Sequence, residues 1–178
     1  MKTFWTRLAL ALLAWAALAA PAPARAARPP HSPVVRMVTT KGVILIKLFP
    51  RDAPITCANF EKLVRKGFYN GLTFHRYEPG FVIQGGDPNG NGSGGPGYTI
   101  KGEFRSNGVP NPLKHNTGAV AMARTDDPNS AGSQFYICLA PAPFLDDKYA
   151  VFGQVIKGQD VAEKLHKGDK MIRVTLTP

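Results

Sequence analysis

Residues 74–87 read Phe-His-Arg-Tyr-Glu-Pro-Gly-Phe-Val-Ile-Gln-Gly-Gly-Asp. The stretch has a strand pattern that carries aromatic residues together with Arg76 and Gln84, and it ends on the glycine pair Gly85-Gly86. Taken alone, each polar residue has an ordinary interpretation, in which Arg76 is a solvated strand residue and Gln84 a surface amide. The sequence on either side decides between that interpretation and a functional one.

Two later stretches repeat the same combination of features. Residues 118–124 and 132–137 again join an apolar strand pattern to a methionine, aromatic residues and an amide, and 144–146 add two apolar side chains on a predicted loop. A solvated strand needs no such apolar setting. The pattern therefore favours a site in which Arg76 and Gln84 face apolar groups.

The remaining sequence predicts a sheet-rich sandwich or barrel with two helices. Val34–Thr40 and Val43–Leu48 form a predicted hairpin around the turn Lys41-Gly42, and a helix is predicted from Pro54 to just before Gly67. Further predicted strands are short apolar stretches divided by glycine, asparagine and proline, and a second helix and a last strand follow. These predicted elements are strands at 72–76, 81–84, 98–100, 119–123, 135–139 and 150–156, a helix at 160–166 and a strand at 171–177.

The N-terminal segment differs in kind from the rest. Lys2 and Arg7 precede the apolar run 8–20, and 24–26 supply small residues two apart, an order that is typical of a secretory signal peptide. The run is shorter than the roughly 20 residues that a bilayer-spanning helix needs. We therefore expect cleavage, with no stable membrane association afterwards, although an uncleaved N-terminal anchor is the alternative. The predicted organisation is a signal peptide over 1–26, a Pro-rich leader over 27–33 and one domain over 34–178, in a periplasmic or secreted protein.

Charge and cysteine content narrow the function classes. The formal net charge of the 178 residues is +10, but the basic residues are scattered, so we expect no nucleic-acid partner and place polyanion binding last among the hypotheses. Cys57 falls in a helix pattern and Cys138 in an apolar strand pattern, which favours two unpaired core thiols over a disulfide.

No metal and no cofactor are predicted. Residues 90–95 place glycines as a dinucleotide-binding loop does, but Pro96 follows and no helix pattern opens. A calcium-loop pattern that begins at Asp87 fails at its twelfth position, Tyr98, where a bidentate glutamate is required. The histidines and cysteines show no metal-ligand spacing, and no nucleophile elbow or phosphate-binding loop is present. The sequence thus favours chemistry that needs neither a nucleophile nor a metal.

Residues 74–87 resemble the signature of the cyclophilin family, Phe-His-Arg-x-x-Pro-x-Phe-x-x-Gln-Gly-Gly-Asp, with every specified position present. Residues 132–135 and 152–153 resemble two further hallmarks, and the similarity runs from about Val34 to Thr177. The resemblance implies a mainly β fold, a closed eight-stranded antiparallel barrel capped by two α-helices. It also implies peptidyl-prolyl cis-trans isomerase activity that assists the folding of exported proteins, and the export signal suggests the bacterial periplasmic branch. A proline-peptide binding module or chaperone with incidental isomerase activity is the alternative.

The resemblance also assigns a site. Arg76, Phe81 and Gln84 are the expected catalytic residues, with Arg76 donating a hydrogen bond to the twisted prolyl amide. His115 matches a family histidine, for which structural and functional roles both stay open. The expected substrate-binding residues are His75, Met122, Ala123, Arg124, Gln134, Tyr136, Phe144, Leu145 and Tyr149.

Several positions depart from many eukaryotic members of the family. Phe144 stands where they have tryptophan, so a cyclosporin-type ligand should bind weakly. Tyr136 is often phenylalanine, which would place a hydroxyl near an apolar pocket; Arg124 replaces asparagine, Tyr149 replaces histidine, and Asp126-Asp127 lengthens a loop. These departures bear on peptide preference more than on chemistry. The expected partners are proline-containing unfolded or folding polypeptides, and the expected state is a monomer.

Overall fold

The computed structural model describes residues 32–177. The predicted signal peptide and residues 27–31 of the predicted leader lie outside the described residues. The described part contains eight strands and two α-helices. In chain order they are β1 (Val34–Thr39), β2 (Gly42–Leu48), α1 (Pro54–Arg65), β3 (Phe74–Glu78), β4 (Val82–Gly85), β5 (Ala119–Met122), β6 (Phe135–Cys138), β7 (Val151–Lys157), α2 (Gln159–Glu163) and β8 (Met171–Leu176).

All eight strands belong to one antiparallel sheet in the order β3-β4-β6-β5-β7-β2-β1-β8. The β1–β2 hairpin pairs Val34 with Lys47 at one end and Thr39 with Gly42 at the other. The register shifts within four of the other strand pairs, and such irregularities increase the local bend of a sheet. The predicted mainly β fold with eight antiparallel strands and two helices is confirmed, and the sheet is strongly curled.

Closure of the barrel is only partial, in contrast to the closed barrel that was expected. The end strands β3 and β8 form no ladder with each other. The segments beside them meet at one bridge, Thr73 with Lys170, and backbone hydrogen bonds join residues 71–74 to residues 168–171. In an antiparallel pair, residues after Thr73 must face residues before Lys170. Those residues form the turn after α2, so the pairing stops and the sheet remains a half-barrel.

Helix α1 packs across the curled sheet as its sequence predicts. Its apolar side chains Cys57, Phe60, Leu63 and Val64 are buried, and Pro54 occupies the first turn, where its missing N–H costs no hydrogen bond. Phe60 lies at the centre of an aromatic cluster, with ring centroids 4.9 to 5.4 Å from those of the cluster's other members. These are Tyr69, Phe152 and Phe135.

The N-terminus of α1 is capped from outside the helix. Ala53 supplies no capping side chain, and the buried carboxylate of Glu103 takes that part. Its oxygens accept hydrogen bonds from the N–H groups of Ile55 at 2.9 Å and Thr56 at 2.7 Å, and from the Thr56 hydroxyl at 2.7 Å. A carboxylate is favourable at this end because the first N–H groups of a helix lack partners and carry partial positive charge.

Both cysteines are free and buried, as predicted. Burial raises the pKa of Cys57 and of Cys138 to about 12. The thiols are therefore protonated at neutral pH, and they serve as small apolar core groups.

Two local predictions need correction. Residues 98–100 form no strand, because glycine and proline precede them and only Ile100 makes a single bridge, to Ala131. Helix α2 is also shorter than the predicted 160–166, since it ends at Glu163.

Within residues 32–177, no helix is long and apolar enough to span a membrane.

Candidate active site

One row of side chains crosses five strands on the face of the sheet opposite the main core. The strand register pairs Arg76 with Gln84, Gln84 with Tyr136, Tyr136 with Ala121, and Ala121 with Val151. Paired residues of neighbouring strands lie on the same face of a sheet, with side chains close enough to touch. The register therefore brings together a cation, an amide and an apolar surface that lie far apart in the sequence.

A first cavity of about 340 Å³ opens over this row. Most of its lining residues are apolar or aromatic, and the ring centroids of Phe81 and Phe144 lie 5.4 Å apart. The rings of Tyr136 and Tyr149 meet nearly at right angles, with centroids 6.1 Å apart. The residues that line the first cavity are Arg76, Phe81, Val82, Gln84, Ala123, Arg124, Tyr136, Phe144, Leu145 and Tyr149.

A second cavity of about 480 Å³ adjoins the first. The two cavities share Gln84, Ala123 and Arg124, which stand between them. Small and polar residues from 92–99 and 130–134 form much of the rest of its lining. The two cavities thus make one groove, with aromatic and aliphatic residues concentrated around the first cavity and small residues around the second.

The guanidinium of Arg76 lies at the edge of the first cavity and is held from two sides. Nη1 donates to Oε1 of Gln84 at 3.4 Å, and Nε lies 3.5 Å from a carboxylate oxygen of Glu78. The guanidinium carbon is 5.9 Å from the centroid of the Phe81 ring. Arg76 lines the first cavity, and among residues 32–177 no acceptor takes its Nη2 hydrogens.

Gln84 is itself oriented by a second amide. Its Nε2 donates to Oε1 of Gln134 at 3.0 Å, and Nε2 of Gln134 donates to the carbonyls of Gly92 and Gly94, both at 2.9 Å. Because each amide nitrogen donates, each amide oxygen is free to accept, and the oxygen of Gln84 therefore faces Arg76.

The loop that supplies those carbonyls is anchored on a buried carboxylate. Asp87 accepts hydrogen bonds from the N–H groups of Asn89 at 2.8 Å, of Asn91 at 2.9 Å and of Gly92. Burial opposes ionisation of Asp87, but these three donors outweigh it and lower the pKa of the carboxyl. Asp87 is thus the fixed end of a chain of hydrogen bonds that reaches Gln134.

Arg124 ties together the loops beside the groove. Its Nε and Nη2 donate to the carbonyl of Lys148 at 3.2 and 3.0 Å, and Nη1 donates to the carbonyls of Thr125 at 2.7 Å and Asp126 at 3.2 Å. The guanidinium carbon lies 4.5 Å from the centroid of the Tyr149 ring. Most of its donors are occupied by backbone carbonyls, so the main role of the Arg124 side chain is to hold the groove lining in place.

The Tyr136 hydroxyl does not enter the cavity, although the sequence places it near an apolar pocket. It lies 3.0 Å from Nε2 of His115, whose Nδ1 lies 2.9 Å from a carboxylate oxygen of Asp146. The cavity therefore meets the ring of Tyr136 and not its polar end.

Most of the residues that the sequence assigns to the site lie in this groove, and Met122 and His75 do not. Met122 is 1% exposed and packs in the main core, because strand alternation sends it to the side opposite Ala121 and Ala123. His75 alternates away from Arg76 in the same way and is 9% exposed. Neither residue lines either cavity.

Two neighbours of the signature residues are part of the site without having been predicted. Val82 lines the first cavity, and Glu78 contacts Arg76. Each lies two positions from a predicted residue of the same strand or strand end, and residues i and i+2 of a strand share a face. This periodicity could have identified both.

Within residues 32–177, no group of three or more histidine, cysteine, aspartate or glutamate side chains is placed to hold a metal ion.

The family model described as "Cyclophilin type peptidyl-prolyl cis-trans isomerase/CLD" matches residues 34–176. The chain belongs to the cyclophilin family. As a cyclophilin, it is a peptidyl-prolyl cis-trans isomerase, and the match spans all eight strands and both helices of the described fold.

Named relatives agree with this membership. The chain is 50% identical over 131 residues to peptidyl-prolyl cis-trans isomerase B of Bacillus subtilis. The aligned region covers 74% of this chain and 88% of the relative. It is 45% identical over 140 residues to a peptidyl-prolyl cis-trans isomerase of Synechococcus elongatus. Here the aligned region covers 78% of this chain and 92% of the relative.

Solved structures share the fold. A cyclophilin type peptidyl-prolyl cis-trans isomerase of Cryptosporidium parvum superposes with a TM-score of 0.75 at 32% identity and covers 83% of this chain and 99% of its own. A second structure of that protein, in the presence of the dipeptide Ala-Pro, has a TM-score of 0.73 at 32% identity, with 82% and 99% covered.

The Asp87 anchor yields a test that depends on pH. The pKa of Asp87 is lower in the folded protein than in the unfolded chain, where it is about 3.9. The ionised carboxylate therefore stabilises the folded protein at pH values above about 3.9. This stabilisation is lost as the pH falls through the pKa of the folded state. We expect Asp87→Asn to lower the free energy of unfolding at pH 7 by about 1.5–3 kcal/mol, the contribution of a hydrogen bond to a charged group. Urea unfolding at pH 7 and at pH 3 measures the difference, which should shrink at the lower pH.

Asp160→Asn is the matched control, because Asp160 is exposed on α2 and should change stability little at either pH. An Asp87→Asn deficit that stays the same at both pH values would contradict the anchoring role of the ionised carboxylate.

Proposed function

We propose that the first cavity holds the proline ring of an X-Pro peptide and that Arg76, Phe81 and Gln84 are the catalytic residues. The observation that carries this proposal is that Arg76 lines the first cavity beside aromatic and aliphatic side chains, while its Nη2 has no acceptor among residues 32–177. The substrates are proline-containing unfolded or folding polypeptides. The structure of the Cryptosporidium parvum relative in the presence of the dipeptide Ala-Pro supports this substrate class.

The reaction breaks no covalent bond. Rotation about an X-Pro bond is slow because amide resonance must be lost, at a barrier of about 18–20 kcal/mol. A turnover of about 1–1000 per second requires roughly 3–7 kcal/mol less than that. Hydrogen bonding and desolvation supply energies of this size, so neither a nucleophile nor a general base is needed.

Arg76 acts on the state in which the amide is twisted. As the bond rotates, the prolyl nitrogen becomes pyramidal and regains a lone pair that can accept a hydrogen bond. A guanidinium beside it donates most strongly at that point, which is the condition for lowering the barrier. Arginine suits this role because it stays charged and its donors are fixed in a plane. One such bond contributes about 1.5–3 kcal/mol.

The drier surroundings of the occupied cavity supply the rest, while its walls hold the proline ring in place. Phe81, Tyr136 and Leu145 hold the proline ring, while Gln84 and the backbone at Ala123 and Arg124 hold the other side of the rotating bond. Because the ring displaces water, the surroundings of the amide become less polar, which favours the less dipolar twisted state and strengthens the contact with Arg76. All the residues that line the groove lie in one chain, which supports the proposal that the protein acts as a monomer.

Arg76→Ala should lower kcat/KM by about tenfold or more, equivalent to about 1.4 kcal/mol, because the donor to the twisted amide is lost. The measurement is isomerisation of a proline peptide in a protease-coupled assay. Arg65→Ala is the matched control, since Arg65 is likewise an exposed arginine paired with a glutamate, but on α1. A folded Arg76→Ala protein that isomerises the peptide at the wild-type rate would show that this mechanism is wrong.

Weak binding of cyclosporin-type ligands follows from Phe144. Phe144 lines the cavity and is 61% exposed, and its ring carries no hydrogen-bond donor, whereas the tryptophan of many eukaryotic members has an indole N–H. We expect Phe144→Trp to lower the inhibition constant for cyclosporin while leaving kcat/KM of the peptide within about threefold, a change equivalent to less than about 1 kcal/mol. An inhibition constant that does not fall would contradict the assigned role of the ring.

The site of action is outside the cytoplasm. We propose that residues 1–26 direct export and are removed, so that the mature isomerase assists the folding of exported proteins in the periplasm or outside the cell. The basic, apolar and small-x-small order of these residues supports the proposal.

Cell fractionation and N-terminal sequencing of the expressed full chain test this. We expect mature protein outside the cytoplasm that begins at or near Ala27, and we expect a variant lacking residues 2–26 to stay inside. Recovery of the full-length chain in the cytoplasm would contradict export.

A further inference from the structure

His115 contacts both walls of the first cavity without lining it. Its side chain is fully buried, and it lies between β6, which carries Tyr136, and the 3₁₀ turn Pro143–Leu145, which carries Phe144 and Leu145. These two elements supply separate parts of the lining that is proposed to grip the proline ring. A residue that joins them fixes the distance between them.

On the side of the turn, His115 makes three hydrogen bonds. Its carbonyl accepts from the N–H of Ala142 at 2.8 Å, at the start of the turn. Its own N–H donates to a carboxylate oxygen of Asp146 at 2.8 Å, and its ring Nδ1 lies 2.9 Å from the same oxygen. Since Asp146 directly follows Leu145, His115 holds the turn at both ends.

On the side of the sheet, the ring of His115 reaches Tyr136 through Nε2, at 3.0 Å from the hydroxyl. Asp146 is ionised, because the N–H and the ring of His115 outweigh the effect of burial and lower the pKa of its carboxyl. A carboxylate only accepts, so Nδ1 carries a hydrogen. Burial lowers the pKa of His115, so the ring is neutral and Nε2 is an acceptor. The Tyr136 hydroxyl must therefore donate to it.

We propose that His115 is a positioning residue of the isomerase: its imidazole joins Tyr136 to the turn at Leu145 and thereby sets the width of the cavity for the proline ring. The inference rests on the proposed function, in which that cavity holds the ring. The contacts of His115 are distinct from those that hold Arg76, so the two residues can be tested separately.

The proposal predicts a specific kinetic pattern. The proline ring keeps its shape while the peptide bond rotates, so the walls that grip it bind the ground state and the transition state alike. Loss of such uniform binding raises KM and leaves kcat unchanged. Loss of Arg76 is expected to lower kcat instead.

Two substitutions each remove the contact between the His115 ring and the Tyr136 hydroxyl while keeping other contacts. In His115→Asn the amide nitrogen takes the place of Nδ1, which keeps the contact with Asp146 and removes the one with Tyr136. In Tyr136→Phe the apolar ring stays and the hydroxyl is lost. We expect each variant to raise KM for a proline peptide by about 3- to 10-fold, the equivalent of one neutral hydrogen bond, with kcat within about twofold of wild type.

The double variant His115→Asn/Tyr136→Phe tests whether the two groups act together. Because both single substitutions remove the same hydrogen bond, its KM should be no higher than that of the weaker-binding single variant. Multiplied effects on KM, a fall in kcat at constant KM, or an unchanged KM in both single variants would each overturn the proposal. Tyr136→Phe keeps the test open if His115→Asn does not fold.

His166→Asn is the matched control, because His166 is exposed and its Nδ1 contacts only a backbone carbonyl. NMR shifts of the Ala123 and Leu145 amides on addition of the peptide report directly whether the first cavity is occupied in wild type. Occupancy with an unchanged KM in the variants rejects the role of His115 alone. Peptide turnover without shifts at these amides rejects the proposed function of the cavity, and with it the role of His115.

Discussion

The pairing of β4 with β6 is the constraint on which the site depends. It places Gln84 beside Tyr136 and, through the neighbouring strand pairs, sets Arg76 at one end of the row and Val151 at the other. A slip of one residue in either strand would exchange its two faces. The core partners Ile83 and Ile137 would then meet solvent, and the cation would lose its apolar neighbours. The core therefore enforces the geometry of the groove.

The groove is held by contacts that end on two carboxylates, one buried and one partly exposed. Asp87 fixes the loop that holds Gln134, while Asp146 fixes the ring of His115. In each case a carboxylate that only accepts hydrogen bonds sets the direction of every donor that follows it. A reaction that needs only a few kcal/mol of barrier reduction depends on such positioning, since a misplaced donor would lose much of its effect.

Much of this architecture could be predicted from local pattern. The hairpin, α1 with its buried stripe and the strand positions follow from periodicity and from turn residues, and the cyclophilin signature carries Arg76, Phe81 and Gln84. Residues 98–100 show the limit of that approach. An apolar segment of three residues fits a strand or a loop equally well, and only the absence of a pairing partner decides between them.

The sequence by itself determined the fold class and the family and identified the residues proposed to carry the chemistry, because these rest on local periodicity and on a contiguous motif. The tertiary structure alone decided that Met122 and His75 lie outside the groove, that the Tyr136 hydroxyl turns to His115, and that the barrel stays partly open. Each of these depends on pairing between segments distant in the chain. Register and closure are set by long-range hydrogen bonds, which no short stretch of sequence encodes.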